Sequence, residues 1–237
     1  FVAFVPCGFL VRSFRFSSPT LPLLQRQLLA CGAILIALAV IICGMYLQHR
    51  QREWMLRREQ ARHRLDIAFE LISREVKRVR SDAAYLARSN VLREFVSGRG
   101  DRLRQRLEAD FERFVEEKSL YDQLRLLDLQ GHEILRVNLD SGDGGAAKAI
   151  AVEGLQDKSD RYYFREATKL ETGEIFVSEF DLNVEYGVLE RPLKPVIRFV
   201  TPIVDDREVA QAYLVLNVLG AYLLDELNRL SIPGKSL

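Results

Sequence analysis

An uninterrupted apolar stretch near the N-terminus constrains this chain most. Residues 28–47, LLACGAILIALAVIICGMYL, contain no charged side chain. At about 1.5 Å of rise per residue, a helix of this length spans the hydrocarbon core of a bilayer, which is about 30 Å thick. Soluble helices are seldom apolar on every face over such a length. The stretch therefore predicts a transmembrane helix.

A cleavable signal peptide is the alternative for this stretch. Such a peptide has a shorter apolar region, followed by small residues at its cleavage site. The residues that follow here, YLQHR at 46–50, include no small residue. A membrane anchor fits better. The segment 1–27 before it begins with Phe1 instead of methionine and is interpreted as an N-terminal segment of doubtful start.

The arginines around the apolar stretch bear on its orientation. More of them follow the stretch than precede it, which favours a cytoplasmic C-terminal side under the positive-inside rule. They are Arg12, Arg15 and Arg26 before the stretch and Arg50, Arg52, Arg57, Arg58, Arg62 and Arg64 after it.

The composition excludes several kinds of protein. A net charge of +1 provides no cationic surplus to neutralise phosphates, so no nucleic-acid partner is expected. Cys7, Cys31 and Cys43 all lie near the N-terminus, and the three histidines have no ligand spacing. We therefore expect no disulfide framework, no metal site and no cofactor.

A long helix is predicted after the apolar stretch, because residues 50–96 contain neither proline nor glycine. Apolar residues recur in it at spacings of four and three, as in a coiled-coil seam: Leu65, Phe69, Ile72, Val76, Val79, Ala83 and Leu86. This stripe can cover the sheet of the same subunit, or it can join two subunits and carry a signal. Both interpretations are open.

Two glycines mark the end of this helix. Gly98 and Gly100 allow a turn, and Asp101 is placed to cap a second helix that runs to about Lys118. The interval 48–118 is therefore expected to form a long helix and a second helix that folds back.

The apolar spacing changes to alternation after Ser119. Alternating segments separated by turn residues predict an α+β fold over 119–237, with an antiparallel sheet of about five strands, helices on one face and a ligand site on the other. The predicted strands are 122–128, 133–139, 174–183, 195–204 and 208–219, with a flexible connection at 141–149, a short helix before Gly173 and a last helix at 221–230.

No catalytic motif is present in the sequence. It has no P-loop, nucleophile elbow, metalloprotease motif or dinucleotide-binding motif, so an enzyme is not expected. Asp181 and Glu185 can be interpreted as paired carboxylates for acid and base chemistry. An acidic cluster at a strand end is more often a solvated turn.

The stretch DKSDRYYFREA at 157–167 indicates binding instead. Arg161 can hold a carboxylate or phosphate through two parallel hydrogen bonds, which the rings of Tyr163 and Phe164 can shield from water. Asp181, on the next strand, can pair with a ligand ammonium group. The alternative, favoured by the residues alone, is that Arg161 pairs with a carboxylate of its own segment and both rings are core residues.

Arg198 interrupts the otherwise apolar strand VIRFV. On an interior strand, its guanidinium needs a carboxylate partner or a ligand anion. On an edge strand or facing solvent, it needs neither. Both positions are open.

Four segments resemble the Cache, or PAS-like (PDC), sensor domains found outside the cytoplasm on bacterial transmembrane histidine kinases and diguanylate cyclases. They are YDQLRLLDLQGHEILRVN, LQDKSDRYYFREA, GEIFVSEFDLNVEYGVLERPLKPVIRFVTPIVD and AYLVLNV. The chain is most similar to the double Cache subgroup of histidine kinase sensors, from about residue 50 onward. The resemblance implies a membrane helix, a long dimer-forming helix outside the membrane, and one or two five-stranded sheets, of which the membrane-distal one holds the ligand.

The resemblance also implies functional residues. It places Arg161 and Tyr163 over the pocket and matches Asp181 to an ammonium-binding aspartate. With Phe164, Asn183 and Arg198, these are the residues expected around the ligand, and the stripe at 65–86 is expected to form the dimer and signalling helix. The implied ligand is a small anion, either a carboxylate or an amino-acid-like molecule. This chain has Gln156, Tyr163 and Phe164 where amino-acid-binding relatives have Tyr, Trp and Tyr, which disfavours an amino acid.

The resulting hypothesis is a homodimeric sensor anchored in the bacterial inner membrane by one helix, with a periplasmic ligand site whose state is passed through the long helix. This placement overrides the arginine count, because large domains translocate with little regard to flanking charge. The rival is a dimerisation module of a receptor that binds no ligand. Residues 119–237 are expected to be the membrane-distal part of the sensor. With no kinase or cyclase motif before SIPGKSL, the chain is expected to be a truncated receptor or a gene fragment.

Overall fold

The computed structural model describes residues 23–98, 100–140 and 145–231. They belong to two compact units, one ending at Ala61 and one spanning Arg62–Leu237. Residues 1–22 of the predicted N-terminal segment, Cys7 among them, lie outside the described residues. The helices are α1 (Leu23–Ala87), α2 (Asn90–Gly98), α3 (Asp101–Lys118), α4 (Tyr162–Ala167) and α5 (Gly220–Ser231), and a short 3-10 helix spans Val152–Gly154.

In the first unit, α1 contains the whole predicted membrane span. Its side chains there are almost all exposed, as at Leu28 and Leu35, which are 66% and 65% exposed. The most apolar part of the helix has a mean hydropathy of 2.8, and the helix is long and apolar enough to cross a membrane. A signal sequence near the N-terminus has the same properties.

The helical region differs from the prediction at two points. First, α1 ends at Ala87 and α2 begins at Asn90, where one helix to about residue 96 was predicted. The side chains of Ser89 and Asn90 compete for backbone hydrogen bonds, which favours a helix start over a helix interior. Second, the N-cap of α3 is Gly100, and Asp101 is the first residue of the helix.

The sheet confirms the α+β fold. Seven strands pair antiparallel in the order β3-β2-β1-β9-β8-β4, with β5 also paired to β8, and β6 and β7 form a separate hairpin. The strands are β1 (Tyr121–Leu127), β2 (Glu133–Asp140), β3 (Ala146–Ala149), β4 (Phe176–Val177), β5 (Asp181–Leu182), β6 (Val184–Glu185), β7 (Val188–Leu189), β8 (Pro195–Val204) and β9 (Ala210–Leu219).

Two strand predictions need correction. The predicted connection at 141–149 contains β3, which pairs with β2 although alanine has little preference for strands; residues 141–144 lie outside the described part. The predicted strand 174–183 is divided into β4 and β5. Between them the Ser178 hydroxyl accepts the Arg198 backbone N–H at 2.8 Å, so a side chain replaces a carbonyl in the ladder.

The two faces of the sheet bury different side chains. One face packs against α2, α3 and the end of α1 through an apolar core that includes Leu124, Phe199 and Leu216. Burial of each such side chain stabilises the fold by about 1.5–3 kcal/mol. The opposite face is apolar where α4 covers it, around Val200 and Val215. The rest of that face is polar.

The predicted stripe on α1 lies in two environments. Val79, Ala83 and Leu86 are at most 8% exposed and belong to the apolar core of the second unit. Leu65 and Phe69, by contrast, are 69% and 73% exposed. The C-terminal part of the stripe therefore packs on the sheet of the same subunit. Only the N-terminal part is exposed for a contact between subunits.

Gly131 holds the β1–β2 turn against the segment before α4. Its φ is +92°, and a Cβ atom there would lie 2.7 Å from Ser159 Cα. Its carbonyl accepts the Lys158 N–H at 2.9 Å, and the Gln156 carbonyl accepts the Glu133 N–H at 2.8 Å. This close approach positions Gln156 and Lys158 over the polar part of the sheet.

Gly131→Ala should therefore displace that segment and destabilise the fold. The strain of positive φ and the clash with Ser159 together predict a loss of about 2–5 kcal/mol in the free energy of unfolding. Gly173→Ala is the matched control, because its φ is +82° with open space around it, and strain alone costs about 1–2 kcal/mol. Urea unfolding of the full chain in detergent measures both losses. Equal losses would contradict the close packing at Gly131.

Candidate functional site

Buried polar side chains occupy the second face of the sheet beyond α4. Alternation along the strands places them there, because their sequence neighbours point into the apolar core. Such groups are costly to bury without partners. The strand residues among them that are 3% exposed or less are Gln123 and Arg125 on β1, Arg136 on β2, Arg198 on β8 and Asn217 on β9.

Arg125 and Arg136 lie directly opposite each other in the β1–β2 pairing. Like charges at such positions repel, and burial removes the screening by water. Glu133 lies close to both, with Oε1 3.2 Å from Arg125 Nε and Oε2 accepting a hydrogen bond from Arg136 Nη1 at 3.0 Å. One carboxylate for two guanidinium groups leaves an excess of positive charge.

A second carboxylate, from Glu185 of β6, reaches the same place. Six donors surround it, three for each oxygen, and we call them the donor cluster: Gln123, Arg125, Arg136, Gln156, Lys158 and Asn183. Oε1 is 2.5 Å from Arg125 Nη2 and 3.1 Å from both Gln123 Nε2 and Asn183 Nδ2, while Oε2 is 2.6 Å from Gln156 Nε2, 3.3 Å from Arg136 Nη1 and 3.5 Å from Lys158 Nζ.

The donor cluster keeps Glu185 ionised. Burial by itself raises the pKa of this carboxyl group, but the charges of Arg125 and Lys158 and the hydrogen bonds from Gln156 and Gln123 outweigh burial and hold the pKa at about 2, below the ordinary 4.5. Burial and the nearby Arg125 lower the pKa of Lys158. The site thus favours a bound carboxylate anion.

Arg198 organises a second polar group beside the donor cluster. Its Nη1 donates to Asp181 Oδ1, and its Nη2 donates to Asn183 Oδ1 at 3.1 Å. The Tyr162 hydroxyl donates to the other Asp181 oxygen at 2.8 Å. Arg198 therefore lies on an interior strand, and its carboxylate partner is Asp181 of the same chain. The edge or solvent-facing alternative is wrong, since the side chain is 1% exposed.

Tyr163 lies between the two polar groups, whereas Phe164 does not contact them. The Tyr163 hydroxyl accepts a hydrogen bond from Arg125 Nη1 at 3.3 Å, and the Arg198 guanidinium lies 5.0 Å from the centroid of its ring. Phe164 packs edge to face on Tyr213, with ring centroids 5.6 Å apart. Both rings are core residues, and only Tyr163 touches the donor cluster.

Arg161 immediately precedes α4 and lines a cavity of about 340 Å³. Gln156 and Lys158 line the cavity with it, and Val184 and Tyr186 of the hairpin line it as well. The guanidinium of Arg161 makes no hydrogen bond or ion pair with any residue that the structure describes. The alternative in which Arg161 pairs with a carboxylate of its own segment is therefore not observed.

The sequence profile of one family, described as bacterial histidine kinase, sensor domain, matches residues 58–231. The chain belongs to this family. The match confirms the resemblance to sensor domains, and it assigns the matched residues to a sensory, non-catalytic domain. No curated protein sequence is significantly similar to the chain.

Two solved structures of sensor domains have the same fold. A domain of a sensory box/GGDEF family protein from Vibrio parahaemolyticus is 29% identical with a TM-score of 0.66, and the extracellular domain of histidine kinase vpHK1S-Z8 is 29% identical with a TM-score of 0.65. Each alignment covers 72% of this chain, which spans only 63% and 60% of those two chains. The ligand-binding domain of the Campylobacter jejuni chemoreceptor Tlp3 in complex with L-valine is 12% identical, with a TM-score of 0.49 and coverage of 69% and 60%.

Most of the donor cluster of this sensor domain was not predicted from the sequence. Arg125 and Arg136 interrupt apolar strands as Arg198 does, so the same argument predicts buried ion pairs for them. The sequence around Glu185 does not indicate its partners, because Arg125 is 60 residues away in sequence. The interpretation of Asp181 and Glu185 as a solvated turn is wrong, since each carboxylate is held by a buried arginine.

Glu185 should make the stability of this sensor domain sensitive to acid. Its pKa is about 2 in the folded chain against an ordinary 4.5, so ionised Glu185 stabilises the fold above about pH 4.5, and this contribution is lost as the pH falls towards 2. Glu185→Gln removes the titrating group. The difference in free energy of unfolding between parent and variant, measured by urea unfolding, should shrink over that interval. A constant difference would show that the ion pairs do not hold Glu185.

Proposed function

We propose that this chain is the input domain of a bacterial membrane receptor and binds a small carboxylate on the periplasmic side of the inner membrane. Membership in the sensor family supports the sensory role. The apolar helix supports a single membrane anchor at residues 28–47. The similarity to an extracellular histidine kinase domain supports the periplasmic placement, against the arginine count.

The guanidinium of Arg161, which has no partner among the described residues, carries the proposal of a ligand site. A guanidinium holds a carboxylate through two parallel hydrogen bonds, and partial burial strengthens them. Lys158 lines the same cavity and adds a second positive charge. Asp157 and Asp160 also line it, and Asp157 is engaged by the Ser159 N–H at 2.8 Å. Arg161 is thus the first group that a ligand anion meets, because Lys158 is already paired with Glu185.

The contacts that Asp181 already makes favour a ligand without an ammonium group. The resemblance suggested that Asp181 pairs with such a group, but its carboxylate already binds Arg198 and Tyr162. Asn183 is held by Arg198 in the same way. We infer that Tyr163, Asp181, Asn183 and Arg198 support the site from within the fold, that Phe164 only anchors α4, and that Arg161 contacts the ligand.

A change at the site can reach α1 through β1. This strand carries Arg125 and begins with Tyr121, whose hydroxyl donates to Asp82 of α1 at 2.6 Å. Lys118, the last residue of α3, donates to the same carboxylate at 2.9 Å. A ligand shifts the population towards the arrangement that it binds more tightly. A movement of β1 would therefore be transmitted to the helix that leads to the membrane.

Arg161→Ala should remove the response to the ligand without unfolding the domain. Thermal unfolding of the full chain in detergent, with small carboxylates and amino acids added, should identify carboxylates that raise the midpoint as concentration increases. The variant should bind them about 10- to 100-fold more weakly, because hydrogen bonds to charged groups contribute about 1.5–3 kcal/mol.

Arg165→Ala is the matched control, because Arg165 is an exposed arginine of α4 away from the cavity. It should respond as the parent does. If no compound raises the midpoint of the parent, or if Arg161→Ala responds like the parent, the proposed site at Arg161 is wrong.

The exposed part of α1 supports pairing of two copies of the chain. Leu65, Phe69 and Ile72 are 69%, 73% and 36% exposed and have the spacing of a coiled-coil seam. Val76 is partly buried against the core, so the available stripe is short. Pairing here would let one subunit affect the α1 helix of the other. The same surface also serves the rival function, a dimerisation module without a ligand.

Phe69→Glu should separate the two copies while leaving each folded, because it places a charge within an apolar contact. Sedimentation of the full chain in detergent should show a dimer for the parent and a monomer for the variant. Tyr85→Glu is the control, since Tyr85 is 75% exposed on α1 but lies off the stripe, and it should remain a dimer. A monomeric parent, or a dimeric Phe69→Glu, would contradict pairing through this stripe.

A further inference from the structure

The β6–β7 hairpin is attached to the domain mainly through side chains. Its turn residues, Tyr186 and Gly187, have φ values of +51° and +76°, as in a tight two-residue turn. Among the described residues, no backbone-to-backbone hydrogen bond joins 184–189 to the seven-stranded sheet. The Tyr186 N–H donates to Gln156 Oε1 at 2.9 Å, and its hydroxyl donates to the Gly154 carbonyl at 3.2 Å.

Glu185 is the hairpin side chain that enters the donor cluster. Its side chain is 16% exposed, whereas those of Arg125, Arg136 and Lys158 are 1%, 4% and 4% exposed. The hairpin beyond it faces solvent, with Val188 68% exposed. Glu185 is therefore closer to solvent than the cations it binds, and it sits on a segment whose displacement breaks no strand pairing of the main sheet.

The donor cluster has the composition of a carboxylate site. A free carboxylate has the same charge as Glu185 and the same two oxygens, so it can accept the same hydrogen bonds. Without Glu185, Glu133 is the one carboxylate among the described residues within ion-pair distance of Arg125 and Arg136, and Lys158 has none. Unbalanced buried charge is costly. The position therefore favours a bound anion when the hairpin moves away.

We propose that the donor cluster is a binding site for a small carboxylate, that the chain fills it with its own Glu185, and that a free carboxylate enters by displacing Glu185 and the hairpin. The cavity beside Arg161 provides the route, because Gln156 and Lys158 line it and also bind Glu185. This inference rests on the proposed function only for the class of ligand. Variants of Glu185 test it, whereas variants of Arg161 test the proposed function.

Glu185 acts in this arrangement as a tethered competitor. The site is open only in the minor state in which the hairpin has moved away. Minor states of this kind are commonly about 0.1–10% populated, and the apparent Kd equals the intrinsic Kd divided by the open fraction. Removing the Glu185 carboxylate should therefore strengthen binding of a free carboxylate by about 10-fold or more.

The test is a titration of the parent, Glu185→Gln and Glu185→Ala with sodium acetate at neutral pH, with the full chain in detergent and thermal unfolding as the readout. Sodium chloride at equal ionic strength controls for salt. Acetamide, which resembles acetate in shape but has no charge, controls for binding that does not need the negative charge. The acetate-specific rise in midpoint should be largest for Glu185→Ala, intermediate for Glu185→Gln and smallest for the parent. Half of the effect should need about 10-fold less acetate in Glu185→Ala than in the parent.

Glu166→Ala is the matched control, because it removes a carboxylate from an exposed pair with Lys169. It should respond to acetate no more than the parent does. Equal responses from all three forms at Glu185, or responses that chloride reproduces, would overturn the proposal. If Glu185→Ala does not fold, Glu185→Gln against the parent decides. The acetate result does not depend on the Arg161 screen, so the two proposals can fail separately.

Hydrogen exchange tests the displacement itself. Saturating acetate should speed exchange of the amides at 186–189 in the parent, because the hairpin leaves the site. It should not change their exchange in Glu185→Ala, where the hairpin is already released. Unchanged or slower exchange in the parent would overturn displacement, because acetate would then bind with Glu185 still in place.

Discussion

Arg125 and Arg136 are buried neighbours across the β1–β2 ladder, and much of the second sheet face is arranged around their charge. Each buried ion that lacks a partner costs several kcal/mol. Glu133 supplies one carboxylate from the strand that carries Arg136, and Glu185 supplies another from the hairpin. Tyr163 also contacts Arg125, which ties α4 to the same charges. The hairpin and the α4 segment are therefore positioned by two strand residues.

Stability alone does not explain this network. Replacement of buried ion pairs by apolar residues of similar volume is often neutral or stabilising. The other face of the sheet already provides a continuous apolar core with α2 and α3. A charged face is instead suited to a charged ligand, because donors held by strands need no rearrangement to bind it. Under the proposed function, the apolar face of the sheet serves folding and the ionic part of the other face serves recognition.

The sequence predicted the features that depend on local patterns. The long helix and the strands β1, β2, β8 and β9 follow from helical and alternating periods, and the α+β fold follows from their order. The helix break at Ser89 and the short strand β3 were not predicted, because packing decides them. The role of Glu185 was invisible for a related reason. Its partners are far away in sequence, and only the fold brings them together.

If Glu185 competes with a free carboxylate as proposed, its short tether sets the ligand concentration that is needed, and the donor cluster sets which ligand is bound. A side chain held next to its site competes with an effective concentration on the order of millimolar for a short flexible link. Changes in the hairpin would alter that concentration, and hence the detection threshold, without touching Arg125, Arg136 or Lys158. Changes in those donors would alter selectivity. A receptor built in this way can be retuned to a richer or poorer environment by substitutions in a six-residue loop at 184–189.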